Sequence, residues 1–433
     1  MQTAIPQPDR CIACTTCTVV CPIAQATPNF LGPRMVGPAH ERFRLAGHGE
    51  DQSLHYCANC KSCDISCPNG VPVSAFIMRA RAAACREKPP SPRDWLLAHG
   101  ATLARWLDII PASFRNFGLR LPVTRNVLDW LGIAKEAPLP EFAPQRFSTL
   151  FRQYRQPENL PRSVVFFPGC YVDMYDPASG LDMVAVLNRA GYRVVLPDGF
   201  TCCGLPLVAN GYWEEARRNA ATNIQELATW KQKNVAVVTG CPSCALMVKA
   251  EYAEYFPELL PDGVSSCPSG SHGHADLPVL EDICEFLLDC IGRKELEPPP
   301  AATGQQVIYH APCHLRAQGL GLPGLLLLQG IPGLCVDNAG AGCCGIAGSY
   351  GFKKDKYPIA MHTGSALFAA VRASGATVCA SDCGTCRVQI RHGSGIQTCH
   401  PVSLLHHYYN DDICNHRKQA SALDLAGFFR LSK

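Results

Sequence analysis

Eight cysteines near the N-terminus form two copies of one spacing, Cys11-x2-Cys14-x2-Cys17-x3-Cys21-Pro22 and Cys57-x2-Cys60-x2-Cys63-x3-Cys67-Pro68. Thiolates placed this way are ligands of iron–sulfur cubanes: three spaced by two residues wrap one face, and the fourth lies too far along the chain and reaches the other centre. Cys11, Cys14, Cys17 and Cys67 are therefore expected to hold one [4Fe-4S] cluster, and Cys57, Cys60, Cys63 and Cys21 the second. The proline after Cys21 and Cys67 fixes φ and removes an N–H where the chain leaves each centre. Zinc also binds C-x2-C pairs. A third cysteine at the same short step, duplicated and followed by proline, argues against it.

At 433 residues the chain is long enough for several cores, since a domain takes about 100 to 200 residues. Its 26 cysteines cluster at metal spacings within a large hydrophobic chain, unlike the disulfide scaffold of a short secreted domain. The start, Met1 to Pro6, has no basic stretch and no apolar run, so no secretory signal and a reducing cytoplasm are expected. The longest uncharged window, Ala317 to Val336, carries two prolines and five glycines, which exclude a bilayer helix. Its Leu325 to Leu328 run reads as a buried helix. The formal net charge is +3, with 18 basic and 12 acidic residues in positions 1 to 160. That balance supports no nucleic-acid partner.

A second cysteine pattern is duplicated farther along. Cys170, Cys202-Cys203-Gly204 and Cys241-x2-Cys244 recur as Cys313, Cys343-Cys344-Gly345 and Cys383-x2-Cys386, at offsets of 143, 141 and 142 residues. So constant an offset implies two copies of one domain. Strand-like runs precede the first and last cysteines of each copy: Val164 to Phe167, Val235 to Val238, Val307 to Tyr309 and Ala376 to Val378. Leu181 to Ala190 and Glu214 to Trp230 read as helices between them. The cysteines thus fall at the carboxyl ends of parallel strands, where open α/β sheets place ligands. Adjacent cysteines suit neighbouring irons of a cluster better than one tetrahedral ion. All ten are expected to be cluster ligands. Cys85, Cys267, Cys284, Cys290, Cys335, Cys379, Cys399 and Cys414 are expected to be buried as small hydrophobes.

Ser91 to Leu160 contains no cysteine, three of the five tryptophans (Trp95, Trp106, Trp130) and nine basic residues. Leu96, Leu103, Leu107 and Ile110 fall on one helical face with Arg105 opposite, before Pro111 stops the helix. Aromatic residues and arginines beside an apolar stripe are the composition of an interfacial helix. The expected organisation is 1–90, a two-cluster module; 91–160, an amphipathic helical linker at a membrane interface; 161–300, the first repeat; and 301–433, the second repeat and a tail.

The Cys-Cys-Gly repeats resemble the CCG domains of heterodisulfide reductase B subunits, and the first run resembles the bacterial two-cluster ferredoxins. Gly32-Pro33-Arg34, Gly37-Pro38, Glu41-Arg42-Phe43-Arg44-Leu45, the stretch Cys343 to Lys354 ending Gly351-Phe352-Lys353-Lys354, Asp382 to Cys386 and Cys399-His400-Pro401 resemble the C subunits of anaerobic glycerol-3-phosphate dehydrogenases over nearly the whole chain. The fold this implies combines α+β and α/β parts: a ferredoxin-like helical module with two [4Fe-4S] clusters, then two duplicated α/β CCG domains. It implies a peripheral protein on the cytoplasmic side of the inner membrane. Electrons would come from flavin-containing A and B subunits and leave to menaquinone, with one non-cubane iron–sulfur cluster expected in each CCG domain. No residue is assigned a catalytic role, and no G-x-G-x-x-G fingerprint follows a strand. Iron–sulfur subunits of glycolate or lactate oxidase complexes share the domain order. A heterodisulfide-reductase-like enzyme is the other reading. His310, His314 and His400 lie near cluster-type cysteines and are read as hydrogen-bonded structural residues in preference to proton relays. Cys267 to His274 reads as a flexible insertion, and the tail after His406 is longer than the repeat requires.

Overall fold

The computed structural model describes residues 8–49, 51–260, 280–300 and 304–415, the last six by backbone alone. The Cys267 to His274 loop, the Cys414 side chain and the tail past 415 lie outside the described residues.

The N-terminal part is built from short helices set by its cysteines. Cys21 and Cys67 end their runs beside proline, and Pro22 opens the helix Pro22–Ala26 with its fixed φ already helical. The long helix of this part, α1 (Val73–Glu87), buries Ala75, Phe76, Ile77 and Met78.

The segment from 91 to 130 differs from the expected single stripe. It is four helices, α2 (Pro92–Ala98), α3 (Gly100–Trp106), α4 (Ala112–Arg120) and α5 (Pro122–Trp130), with a 3-10 turn over Leu107–Ile109. A capping box between Ser91 and Asp94 starts α2. His99 ends it: its backbone leaves the helix and its ring Nδ1–H bonds to the Trp95 carbonyl at 2.9 Å, satisfying a terminal acceptor. The turn rotates the two halves of the expected face apart. Leu96 packs inward with Ile133, Ala134 and Phe352, whereas Trp106, Ile109, Phe114, Phe117, Val123 and Trp130 are each more than half exposed, up to 89% for Ile109.

The two repeats form two four-stranded parallel sheets of one topology. In the first, β1 (Arg162–Phe166), β2 (Tyr192–Val195), β3 (Val237–Thr239) and β4 (Leu280–Asp282) lie in the order β2-β1-β3-β4. In the second, β5 (Gln306–Tyr309), β6 (Cys335–Asn338), β7 (Val378–Ala380) and β8 (Gln397–Cys399) lie in the order β6-β5-β7-β8. The central strands are near-continuous apolar runs because helices cover both faces. The register Val165↔Val237 recurs as Ile308↔Cys379. Helices α6 (Pro177–Arg189), α7 (Trp213–Gln232), α8 (Ile283–Gly292), α9 (Pro323–Gln329), α10 (Tyr357–Ala373), α11 (Gly384–Ser394) and α12 (Pro401–Asn415) complete the two layers. One core runs through both repeats and holds Phe166, Leu187, Leu287, Tyr309, Val378 and Val402 together. Leu325, Leu327 and Leu328 of α9 are buried as expected, while Leu326 faces out. Among the described residues no helix is long and apolar enough to cross a membrane.

Candidate functional site

Left-handed backbone at a residue other than glycine costs roughly 1 to 2 kcal/mol. Of the seven such residues described, four flank the middle cysteine of an N-terminal run: Ala13 and Thr15 around Cys14, and Asn59 and Lys61 around Cys60. Both loops therefore curl about that cysteine in the same way. Cys11, Cys14, Cys17 and Cys67 line one small cleft. Cys21 sits with Cys57 and Cys60 instead of with its own run, and burial, reinforced by their charges, pushes its thiol up to about 12. Backbone N–H groups point at several sulfurs, Val71 to Cys67 at 3.3 Å and Asn59 to Cys57 at 3.5 Å. Cys14 is exposed, whereas Cys57, Cys60 and Cys63 are buried.

The first and last cysteines of each repeat lie just past β1, β3, β5 and β7, and the adjacent pairs follow β2 and β6. Cys170, Cys202, Cys203, Cys241 and Cys244 form one contiguous set of thiols. Cys313, Cys343, Cys344, Cys383 and Cys386 form the other, with the Cys344 and Cys386 sulfurs 3.2 Å apart. Gly204 and Gly345 hold φ of +90° and +87° after the adjacent pair, a turn that glycine makes freely. The environments differ. Phe167 packs edge-on against Phe200 in the first repeat, and the matching position in the second is His310, within 4.8 Å of the Cys344 and Cys386 sulfurs.

Three of the four thiol sets adjoin one another. Burial raises the Cys313 thiol and the neighbouring Cys344 raises that of Cys343, and Cys60 lies close enough to add to both. Tyr171, next to Cys170, lies so close to Gly384, next to Cys383, that a β-carbon there would enter its ring. His314, next to Cys313, donates from Nε2 to the Asn59 carbonyl at 3.1 Å, and its Nδ1 accepts from the Ser243 hydroxyl at 2.9 Å. His314 thereby ties together the loops of three sets. The set of Cys11, Cys14, Cys17 and Cys67 stands at the outer end, with Ile12, Val19 and Ile65 each more than half exposed around it.

Two charge clusters, one buried and one half-buried, hold this arrangement. Lys61 lies 3.0 Å from Glu254 and 3.4 Å from Glu251, and Asn59 donates to Glu251 at 2.8 Å. Burial works against every charge here. Lys61 nonetheless stays protonated well above the usual lysine range beside its carboxylates. Burial lifts Glu254 to about 7, since one ammonium serves two acids. The second cluster joins the Gly-Phe-Lys-Lys stretch to the linker: Lys353 meets Asp94 at 2.8 Å, Arg93 meets Asp355 at 3.0 Å, and the Ala134 N–H bonds the Phe352 carbonyl. Burial opposes the Asp94 charge, but Lys353 and Ser91 outweigh it and hold the carboxyl at about 2. Sequence reasoning missed Lys61, Glu251, Glu254 and Asp94. Their partners lie far along the chain, and only a lysine inside a C-x2-C step hinted at a buried role.

The remaining cysteines divide. Cys284, Cys290, Cys379 and Cys399 are buried as expected, but Cys335 is exposed on edge strand β6 and Cys85 is half-buried. His400 is fully buried within 4.8 Å of Cys284 and Asp382. Its Nδ1 accepts from the Val402 N–H at 3.1 Å, which ties the ring to the start of α12.

The thiol sets fit iron–sulfur clusters on their own chemistry. Burial pushes the Cys57 thiol up to about 11 and also raises that of Cys63 well above the usual range. Such thiols become thiolates only where a cationic centre compensates them.

Residues 7–71 match the family model of a 4Fe-4S dicluster domain, and residues 164–249 and 307–391 match that of the cysteine-rich CCG domain. Over 411 residues the chain is 35% identical to the C subunit of anaerobic glycerol-3-phosphate dehydrogenase from Escherichia coli (strain K12), covering 92% of this chain and 97% of that one. Over 421 residues it is 29% identical to the B subunit of fumarate reductase (CoM/CoB) from Methanothermobacter marburgensis, covering 93% and 72% respectively. Lactate utilization protein A 2 of Bacillus cereus (strain AH820) is 29% identical over 198 residues, 44% of this chain and 74% of that one. The chain is an iron–sulfur protein with a two-cluster module and two CCG domains.

Proposed function

The chain belongs to the family of anaerobic glycerol-3-phosphate dehydrogenase C subunits, and from that premise we propose that it carries electrons from flavin-containing A and B subunits to menaquinone at the cytoplasmic face of the inner membrane. The observation that carries this reading is the order of the thiol sets. The set that includes exposed Cys14 lies at one end, and three mutually adjoining sets lead inward from it. Iron–sulfur clusters held there supply one-electron storage and transfer, which links a two-electron flavin to a quinone. On this reading residues 1–90 receive the electrons, with Cys11, Cys14, Cys17 and Cys67 nearest the dehydrogenase. Cys57, Cys60, Cys63 and Cys21 come next. Residues 161–300 and 301–433 each hold one non-cubane cluster on five cysteines. Residues 91–160 seat the chain on the membrane through the exposed apolar residues between Trp106 and Trp130.

Reconstitution tests it. Flavin subunits, this chain and menaquinone liposomes should give glycerol-3-phosphate-dependent quinol, and leaving out this chain should abolish quinol while dye reduction by the flavin subunits persists. Undiminished quinol formation without the chain would contradict the reading.

A further inference from the structure

A cavity of about 910 Å³ opens beside the first repeat's thiols, within the range of about 300 to 1,000 Å³ usual for small-molecule sites. It reaches all five of those sulfur-bearing residues, together with Cys57 and Cys383. Part of the space belongs to what the thiols hold. The rest extends past apolar Met78, Ala98, Leu205 and Val208 to His99 and Trp213. Two donors on the wall have no partner: the Nε1–H of Trp213 and the hydroxyl of Tyr350, a residue only 8% exposed. A buried unpaired donor is costly, so both call for a ligand with acceptor oxygens. Of the five cations on the wall, Arg93, Lys353 and Lys356 are engaged by Asp94 or Asp355 and Arg81 by the Cys57 and Ala209 carbonyls, while the fifth, Lys88, is exposed to solvent. That pattern favours a neutral ligand over an anionic one.

We propose that this cavity, between the first repeat's thiols and the α2–α3 turn, is the headgroup site for the quinone, an inference that rests on the reading above. A quinone ring is neutral, flat and apolar and carries two acceptor carbonyls. Its route to lipid follows from the aromatic residues: His99 on the cavity wall stacks on Trp95 at 5.0 Å, Trp95 packs on Trp106 at 6.5 Å, and Trp106 begins the exposed apolar face. Reduction to the quinol takes two electrons, which the clusters deliver, and two protons, which must come from solvent. His99 and Glu215 supply that path. The His99 Nδ1 faces a carbonyl, which only accepts, so it keeps its proton. The 3.0 Å link from Nε2 to the Glu215 carboxyl therefore needs a further proton on one partner, and Glu215 is 39% exposed to replenish it.

The test uses the intact holo-protein, reduced beforehand, and a short-chain menaquinone. Affinity is read from tryptophan quenching and rate from the absorption change as the clusters oxidise. Tyr350→Phe and Trp213→Phe should each weaken affinity about tenfold, the effect of one hydrogen bond, and Ala101→Trp should block binding. Glu215→Gln should leave affinity unchanged and slow oxidation at least tenfold. Iron content and the paramagnetic signals report whether each variant is intact. Intact variants that bind and oxidise like the parent would overturn the site while leaving the electron-transfer reading in place. A parent protein that reduces dye but neither binds nor reduces the quinone would overturn the reading and the site together.

Discussion

The two repeats share a strand order and a cysteine pattern, yet their surroundings differ. The first opens its thiols to a large cavity beside the linker that carries the exposed apolar face. The second turns Cys313 and Cys343 toward Cys60 of the two-cluster module and has His310 where the first has Phe167. Duplication preserves what the backbone needs for ligation, namely strand ends, an adjacent cysteine pair and a glycine turn. The repeats diverge in what touches those ligands.

The largest expected effect comes from removing a ligand in each repeat. Cys203→Ser and Cys344→Ser should each lose one cluster, about 4 irons of roughly 16 at full loading, measured by anaerobic iron and sulfide analysis. A count near eight in the parent protein would mean that the repeats hold no cluster, and the comparison would lose its premise. In the same experiment Cys21→Ser should alter the paramagnetic signal governed by Cys60 and spare the one governed by Cys14.

The glycine turns break the symmetry next. A β-carbon on Gly345 would run into the backbone carbonyl of Ala360, whereas one on Gly204 would meet the Ala216 side chain at 3.3 Å. Gly345→Ala should cost about 3 kcal/mol or more and release the second cluster, and Gly204→Ala about 1 to 2 kcal/mol. Thermal melts with iron analysis check this. Equal losses would show that the two turns are equally tight. Asp94→Asn should cost about 3 kcal/mol by leaving Lys353 buried without its carboxylate. That loss should loosen the second repeat's loop and leave the first cluster's signal alone.

The exposed apolar face of the linker gives a graded effect. Glutamine at Ile109, Phe114, Phe117 and Trp130 should weaken binding to anionic liposomes by about a hundredfold or more, since each loses apolar burial. Cosedimentation measures it, and undiminished binding would place the lipid contact elsewhere. The smallest effect is electronic. His310 lies within 4.8 Å of the Cys344 and Cys386 sulfurs, and with a cluster held there its ring N–H would favour the reduced, more negative state. His310→Phe should lower the second repeat's potential by about 60 mV, the equivalent of one hydrogen bond. Potentiometric titration should show the first repeat's potential unmoved.

Much of this was legible in the sequence because ligation and strand formation are local. Val164 to Phe166 and Val307 to Tyr309 form strands where β-branched and aromatic residues predict them, and β7 begins two residues later than expected, after Gly375-Ala376-Thr377. The linker misled because a helical period across His99 assumes an unbroken helix, and a side chain returning to the Trp95 carbonyl is invisible to periodicity. The Lys61 and Lys353 clusters were beyond reach for a different reason. Their carboxylates lie some 190 and 260 residues away in the chain, so only the packed fold brings them together.

The central claim is that the first repeat, and not the second, faces the electron acceptor. Its most direct test is the paramagnetic spectrum of the reduced holo-protein, with the two repeats' signals assigned through Cys203→Ser and Cys344→Ser, before and after adding a redox-inactive quinone analogue. Only the signal lost in Cys203→Ser is expected to shift. A shift confined to the signal lost in Cys344→Ser would contradict the claim.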